Sequence, residues 1–167
     1  LFVTNRAKLT KNIKQNSAVV LQSNEHFPSN GDGLLTYRQN SNLLYLTGVN
    51  QAETILILAP NFPDEKLREV LFLKETNEHI AVWEGHKLTK AEAQKATGIK
   101  TVKWLDEFDL VLQTILAETE NIYLESNEHI RNSSIIETRN DRFSKECRSK
   151  FPLHRYERLA PIIYELR

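Results

Sequence analysis

The chain has 167 residues, the length of one domain, and its 22 lysines and arginines are matched by 22 aspartates and glutamates. That balance excludes the basic footprint of a nucleic-acid binder, and no apolar run approaches the ~20 residues that a membrane helix needs. One cysteine, Cys147, excludes an internal disulfide framework; with no signal peptide at its start, the chain reads as cytoplasmic.

Asn5 to Gln15 spaces Leu9 and Ile13 as the inner face of an amphipathic helix, ending before the β-branched strand Ala18-Val19-Val20-Leu21. Asn24 to Leu35 is crowded with turn formers, Pro28, Asn30, Gly31, Asp32 and Gly33, and loops of that length in a compact domain are often functional. The stretch from Tyr37 to Gly48 follows neither the helical nor the strand period. Its polar run, Gln39-Asn40-Ser41-Asn42, breaks abruptly into Leu43-Leu44-Tyr45-Leu46. A buried polar turn through Gln39, Asn40 and Ser41 is expected to deliver Leu43, Leu44 and Tyr45 to the core.

Thr54 to Leu58 and Val70 to Leu73 are continuous apolar runs of strand length, as in sheets covered on both faces, with Pro63 punctuating the segment between them. Thr89 to Thr97 reads as a helix with a threonine cap, Glu92 at the reciprocal capping position and Gly98 past its end. Thr101 to Trp104 follows as a strand. From Asp106 to Glu118, the spacing of Phe108, Val111, Leu112, Ile115 and Leu116 predicts a strongly amphipathic helix, and Ile122-Tyr123-Leu124 predicts the next strand. The basic run Arg139, Arg142, Lys145, Arg148 and Lys150 reads as a solvated face, or one turned to an acidic surface. Pro161 opens a stripe of Leu159, Ile162, Ile163 and Leu166 that stops after about two turns. It is expected to leave an apolar surface for another domain or subunit, with self-association favoured by zero net charge. The alternation as a whole predicts a single α/β domain over residues 1–167, with a mixed sheet flanked by helices.

Asn-Glu-His occurs at Asn24-Glu25-His26, Asn77-Glu78-His79 and Asn127-Glu128-His129. No histidine pair has the helical spacing of four used by zinc proteases, and Ser23, Thr76 and Ser126 precede the triplets as capping residues would, so no metal ligands are assigned. No Gly-x-Ser-x-Gly elbow or Gly-rich phosphate loop is present.

The run Tyr37-Arg38-Gln39-Asn40-Ser41, with Tyr45 and Gly48 beyond it, resembles the signature of the amino-terminal domain of Xaa-Pro aminopeptidases (aminopeptidase P), in the creatinase/prolidase group. Ser29-Asn30-Gly31-Asp32 upstream and Val82-Trp83-Glu84-Gly85 downstream continue the likeness, which is strongest from about Asn30 to Gly98. The resemblance implies a ribonuclease-H-like topology. It also implies a metal-dependent hydrolase that removes the first residue from peptides with proline second. Its two Mn²⁺ ions would be held by a carboxy-terminal catalytic domain, and nothing in this chain aligns with that ligand set. No catalytic residue or cofactor is therefore assigned to the chain itself; its expected partners are that catalytic domain, other subunits of a dimer or tetramer, and the peptide. The chain begins with Leu and has no methionine, where a complete translated protein starts with one, so it is expected to be processed, trimmed or missing residues.

Two residues stand out as candidates for the substrate cavity or a subunit contact. Trp83 could be ordinary core, or an aromatic wall leading into the polar turn Glu84-Gly85-His86-Lys87, where the family carries two arginines in place of His86 and Lys87. Asp32 could stabilise its own turn; the resemblance implies instead that its loop reaches a neighbouring subunit's active-site mouth, where the carboxylate would attract the cationic amino terminus of a peptide. Arg38 is expected to satisfy carbonyls or a carboxylate beneath the Asp32 loop. A dipeptide-cutting prolidase and a catalytically dead binding module are the rival readings.

Overall fold

The computed structural model describes all residues from Leu1 to Arg167. Its strands are β1 (Ser17–Gln22), β2 (Thr54–Leu58), β3 (Glu69–Leu73), β4 (Thr101–Trp104), β5 (Asn121–Leu124) and β6 (Arg155–Arg158), and they form one sheet in the order β4-β3-β2-β1-β5-β6. β2 runs antiparallel to both neighbours and every other pairing is parallel, so five strands point one way and β2 the other. An antiparallel meander of β1, β2 and β3, with β5 and β6 added in parallel, is the ribonuclease-H-like arrangement that the resemblance implies. β4 extends the β3 edge.

Helices cover both faces, which explains why the central strands are apolar at consecutive positions rather than alternating ones. On one face Val20, Ile57, Phe72 and Ile122 pack under α5 (Phe108–Leu116) and α6 (Arg139–Lys150). On the other, Val19, Leu56, Leu71 and Tyr123 meet α1 (Phe2–Lys11), α2 (Ser41–Thr47), α4 (Lys90–Thr97) and α7 (Ala160–Leu166). One further helix, α3 (Glu78–Glu84), lies outside this packing and has no buried residue.

α1 lies across the carboxyl ends of α2 and α4. Arg6, fully buried, donates from Nη1 to Leu46 O at 2.9 Å and Thr97 O at 3.1 Å, and from Nε to Glu69 Oε2 at 3.1 Å. Its charge thus sits where two helix dipoles end negative. Gly48 caps α2 at φ 73°, and a Cβ there would come within 2.3 Å of the Phe2 ring. Gly48→Ala is therefore expected to cost about 2–3 kcal/mol, from left-handed backbone strain together with overpacking. Urea unfolding checks this; a cost under ~1 kcal/mol would mean that the ring yields freely.

Several expectations need correction. The first helix is Phe2–Lys11, earlier than Asn5 to Gln15; Asn12 closes it and Asn16, at φ 52°, turns the chain into β1. Leu44 is exposed, because once α2 forms, its inner face is Leu43, Leu46 and Thr47. α6 and β6 were not anticipated. The apolar stripe of α7 does not await a partner: Leu159 and Ile163 are fully buried in the domain's own core, beside Leu9 of α1.

Candidate functional site

The sheet gathers the candidate residues at one end. The long loop after Gln22, the segment after Leu73 that carries α3, and the segment after Leu124 all leave the carboxyl ends of parallel strands, where α/β proteins commonly bind ligands. Exposed apolar side chains collect on these connections: Leu34 and Leu35 on the first, Val82 and Trp83 on the second, Ile130 and Ile135 on the third.

Trp83 is 90% exposed, which removes its reading as core. Asn77 caps the start of α3 by accepting from Ile80 N at 2.9 Å, and Gly85 ends it at φ 78°, ψ 174°. A region of backbone space essentially reserved for glycine thus turns the chain sharply after Trp83-Glu84. Glu84, His86 and Lys87 then line a cleft of about 470 Å³ with His26, Tyr37 and Glu53 from the facing connections.

Asp32 sits exposed at the tip of the long loop. The turn there is closed by main-chain bonds, Gly33 N to Asn30 O at 3.0 Å and Ser29 N to Gly33 O at 2.9 Å, so the Asp32 carboxylate remains uncommitted. Arg38 does not play the expected structural part: its guanidinium is exposed, and only its carbonyl is used, accepting from Asn24 Nδ2 at 3.0 Å.

The rest of the signature makes a hydrogen-bond hub centred on Gln39, its one buried residue between Tyr37 and Ser41. Gln39 Oε1 accepts from Asn40 N at 2.7 Å and Tyr37 Oη at 2.8 Å, while its Nε2 donates to Val49 O at 3.1 Å and Gln51 O at 2.9 Å. The polar run therefore closes the loop on both sides of α2, which is why no periodicity describes it. Burial pushes the Tyr37 phenol up to about 12, outweighing Ser23 and Arg139. Asn40 caps α2 through Oδ1, with Ser41 exposed as the first helical residue. Tyr45 is half-buried and donates to Leu166 O at 2.8 Å, tying α2 to α7.

At the centre of a polar cleft of about 280 Å³ lies a residue that the sequence did not reveal, Glu125. Its carboxylate accepts from Asn40 Nδ2 at 2.7 Å, Asn140 Nδ2 at 2.9 Å and Asn42 Nδ2. Each of these amides is oriented by its other end: Asn40 caps α2, Asn42 accepts from Arg167, and Asn140 accepts from Gln22 N. Burial nevertheless dominates and pushes Glu125 up to about 7. A lone acid continuing the buried strand Ile122-Tyr123-Leu124 was the only available signal.

The Asn-Glu-His triplets lie on separate segments, and no three His, Cys, Asp or Glu side chains converge as a metal site. Capping comes from inside two triplets rather than before them: Asn77 caps α3 in place of Thr76, and Asn127 Oδ1 accepts from His129 N at 3.2 Å. Of the basic run, Arg142, Lys145, Arg148 and Lys150 are exposed, while Arg139 turns inward to donate to Ser23 Oγ at 3.1 Å. The exposed candidates thus supply an aromatic face, a carboxylate and a guanidinium.

The family model described as the aminopeptidase P N-terminal domain matches residues 2–123. The Xaa-Pro aminopeptidase of Haemophilus influenzae is 28% identical over 73% of this chain, and that of Escherichia coli 23% identical over 99%. The chain spans 28% and 38% of those two proteins' lengths. Among solved structures, a provisionally assigned aminopeptidase P from Bacillus anthracis superposes with a TM-score of 0.86 at 26% identity, covering 99% of this chain and 39% of its own. Proline aminopeptidase P II from Yersinia pestis, at 24% identity over 99% of this chain and 38% of its own, has a TM-score of 0.75 and bears on the fold alone.

Proposed function

Because the chain belongs to the family of aminopeptidase P N-terminal domains, we propose that it is the non-catalytic front domain of an Xaa-Pro aminopeptidase, where it walls the active-site mouth and makes subunit contacts. The observation that carries this reading is Trp83, held almost entirely in solvent at the loop-bearing end of the sheet. An indole left exposed there loses burial free energy, a cost offset when a partner or substrate covers it. A proline ring suits that face, being apolar and already rigid. Asp32, uncommitted within its own loop, would attract the ammonium of the peptide from a neighbouring subunit of a dimer or tetramer.

The two manganese ions of the family's reaction do not fit this chain, whose histidines stand apart and whose acids form no three-ligand cluster. They would belong to a carboxy-terminal catalytic domain, and no step of the chemistry is assigned here.

In the complete enzyme, Trp83→Ala is expected to lower kcat/KM for peptides with proline second by about 10–100-fold, the equivalent of about 1–3 kcal/mol. Its Tm should stay within ~2 °C of the parent, since an exposed side chain leaves no cavity. Steady-state kinetics and thermal melts on one variant check both halves, and unchanged kcat/KM would remove Trp83 from the mouth.

A further inference from the structure

α3 presents Trp83, yet it lacks the apolar anchorage of the other helices: none of its residues is buried. Ile80 and Ala81 are only half-buried, and what adds to that slight hold on the sheet is charge. Lys74, the residue after β3, places Nζ 3.1 Å from Glu84 Oε2 and 3.4 Å from Glu53 Oε2. Glu84 follows Trp83 directly and also pairs with Lys87, while Glu53 immediately precedes β2. The ammonium therefore joins the end of α3 to two adjacent strands. Beyond it, Gly85 holds its Gly-only conformation with nothing within 4 Å of a would-be Cβ, an unobstructed pivot.

We propose that Lys74 is a positioning residue, setting through Glu84 and Glu53 where α3 holds the Trp83 indole; its bearing on substrate rests on the Trp83 reading above. Exposed ion pairs contribute little to global stability. A short helix with no fully buried side chain opens locally rather than globally, however, and a bridging cation acts directly on that local equilibrium. Carboxylates on both sides of Lys74 make a single substitution release both strands' hold at once.

The test uses the full-length protein with Lys74→Met and Lys74→Arg. In Lys74→Met, amides of α3 are expected to exchange with deuterium about 3–10-fold faster while β3 is unchanged. KM for a peptide with proline second should rise by a similar factor, with kcat held. Lys74→Arg should restore both, and in a Trp83→Ala background Lys74→Met should add nothing further to KM. High salt should reproduce the faster exchange in the parent. Unchanged α3 exchange in Lys74→Met overturns the proposal, as does a Lys74→Arg variant as defective as Lys74→Met. Faster exchange with KM unaltered in both Lys74→Met and Trp83→Ala overturns the Trp83 reading and leaves the tether standing.

Discussion

Arg6→Met is expected to destabilise the fold by about 3–5 kcal/mol, the range for breaking a buried charge pair by removing one partner. Methionine keeps most of the volume, so the loss is electrostatic. Two helix-terminal carbonyls, Leu46 O and Thr97 O, would be left without their donor, and the Glu69 carboxylate without its cation. Glu69 is about a third exposed and water can reach it, so the stranded carbonyls carry much of the cost. For a chain of this length the Tm should fall by about 10 °C. Arg6→Lys, which restores charge but not the planar fork, should recover only part of it. Urea titration of the three proteins is the measurement; a loss below ~1 kcal/mol for Arg6→Met would show that the clamp is dispensable.

The second large effect is a dependence of stability on pH traceable to Glu125. Its carboxyl titrates at about 7 in the fold against an ordinary 4.5, because burial outweighs the amides that favour its charge. Between those values the folded chain holds a proton that the unfolded chain has released. The stabilisation is therefore complete below about pH 4.5 and is lost as pH rises through about 7, amounting to about 3 kcal/mol. Glu125→Gln removes the titration, and other ionisable groups cancel in the comparison. The stability of the parent relative to the variant should fall by that amount from pH 4.5 to 8. A flat or rising difference would show that the three amides, not burial, control the carboxyl.

How legible the molecule was depended on whether neighbours in the chain are also neighbours in the fold. The helix α5 announces itself through five apolar residues at helical spacing, all buried, and α4 through the reciprocal pair Thr89 and Glu92. α6 offers only Phe143 and Cys147 as apolar inward positions among twelve residues, too sparse a stripe to outweigh its charges. α3 was missed for a related reason, since a helix with no fully buried residue carries no stripe, and only the polar turn after Trp83 was legible. The hub around Glu125 draws on residues 40, 42, 140 and 167, four places that no local pattern connects. For Trp83 the residues left two readings open, and exposure decided against the core. Asp32 was legible as the tip of a turn, but not that its side chain takes no part in closing it.

The sheet order also dictates when the chain can finish folding during synthesis. β1 emerges early and finds β2 and β3 soon after, but its other edge must wait for β5, because Ser17 pairs with Asn121 and Val20 with Leu124. Until roughly a hundred further residues have been made, Ala18-Val19-Val20-Leu21 keeps a bare hydrogen-bonding edge with apolar side chains on both faces. Nascent chains cut short before Asn121 should therefore be the aggregation-prone species. The appearance of β5 closes that edge, and with it the stretch of synthesis in which β1 is most exposed to wrong pairing.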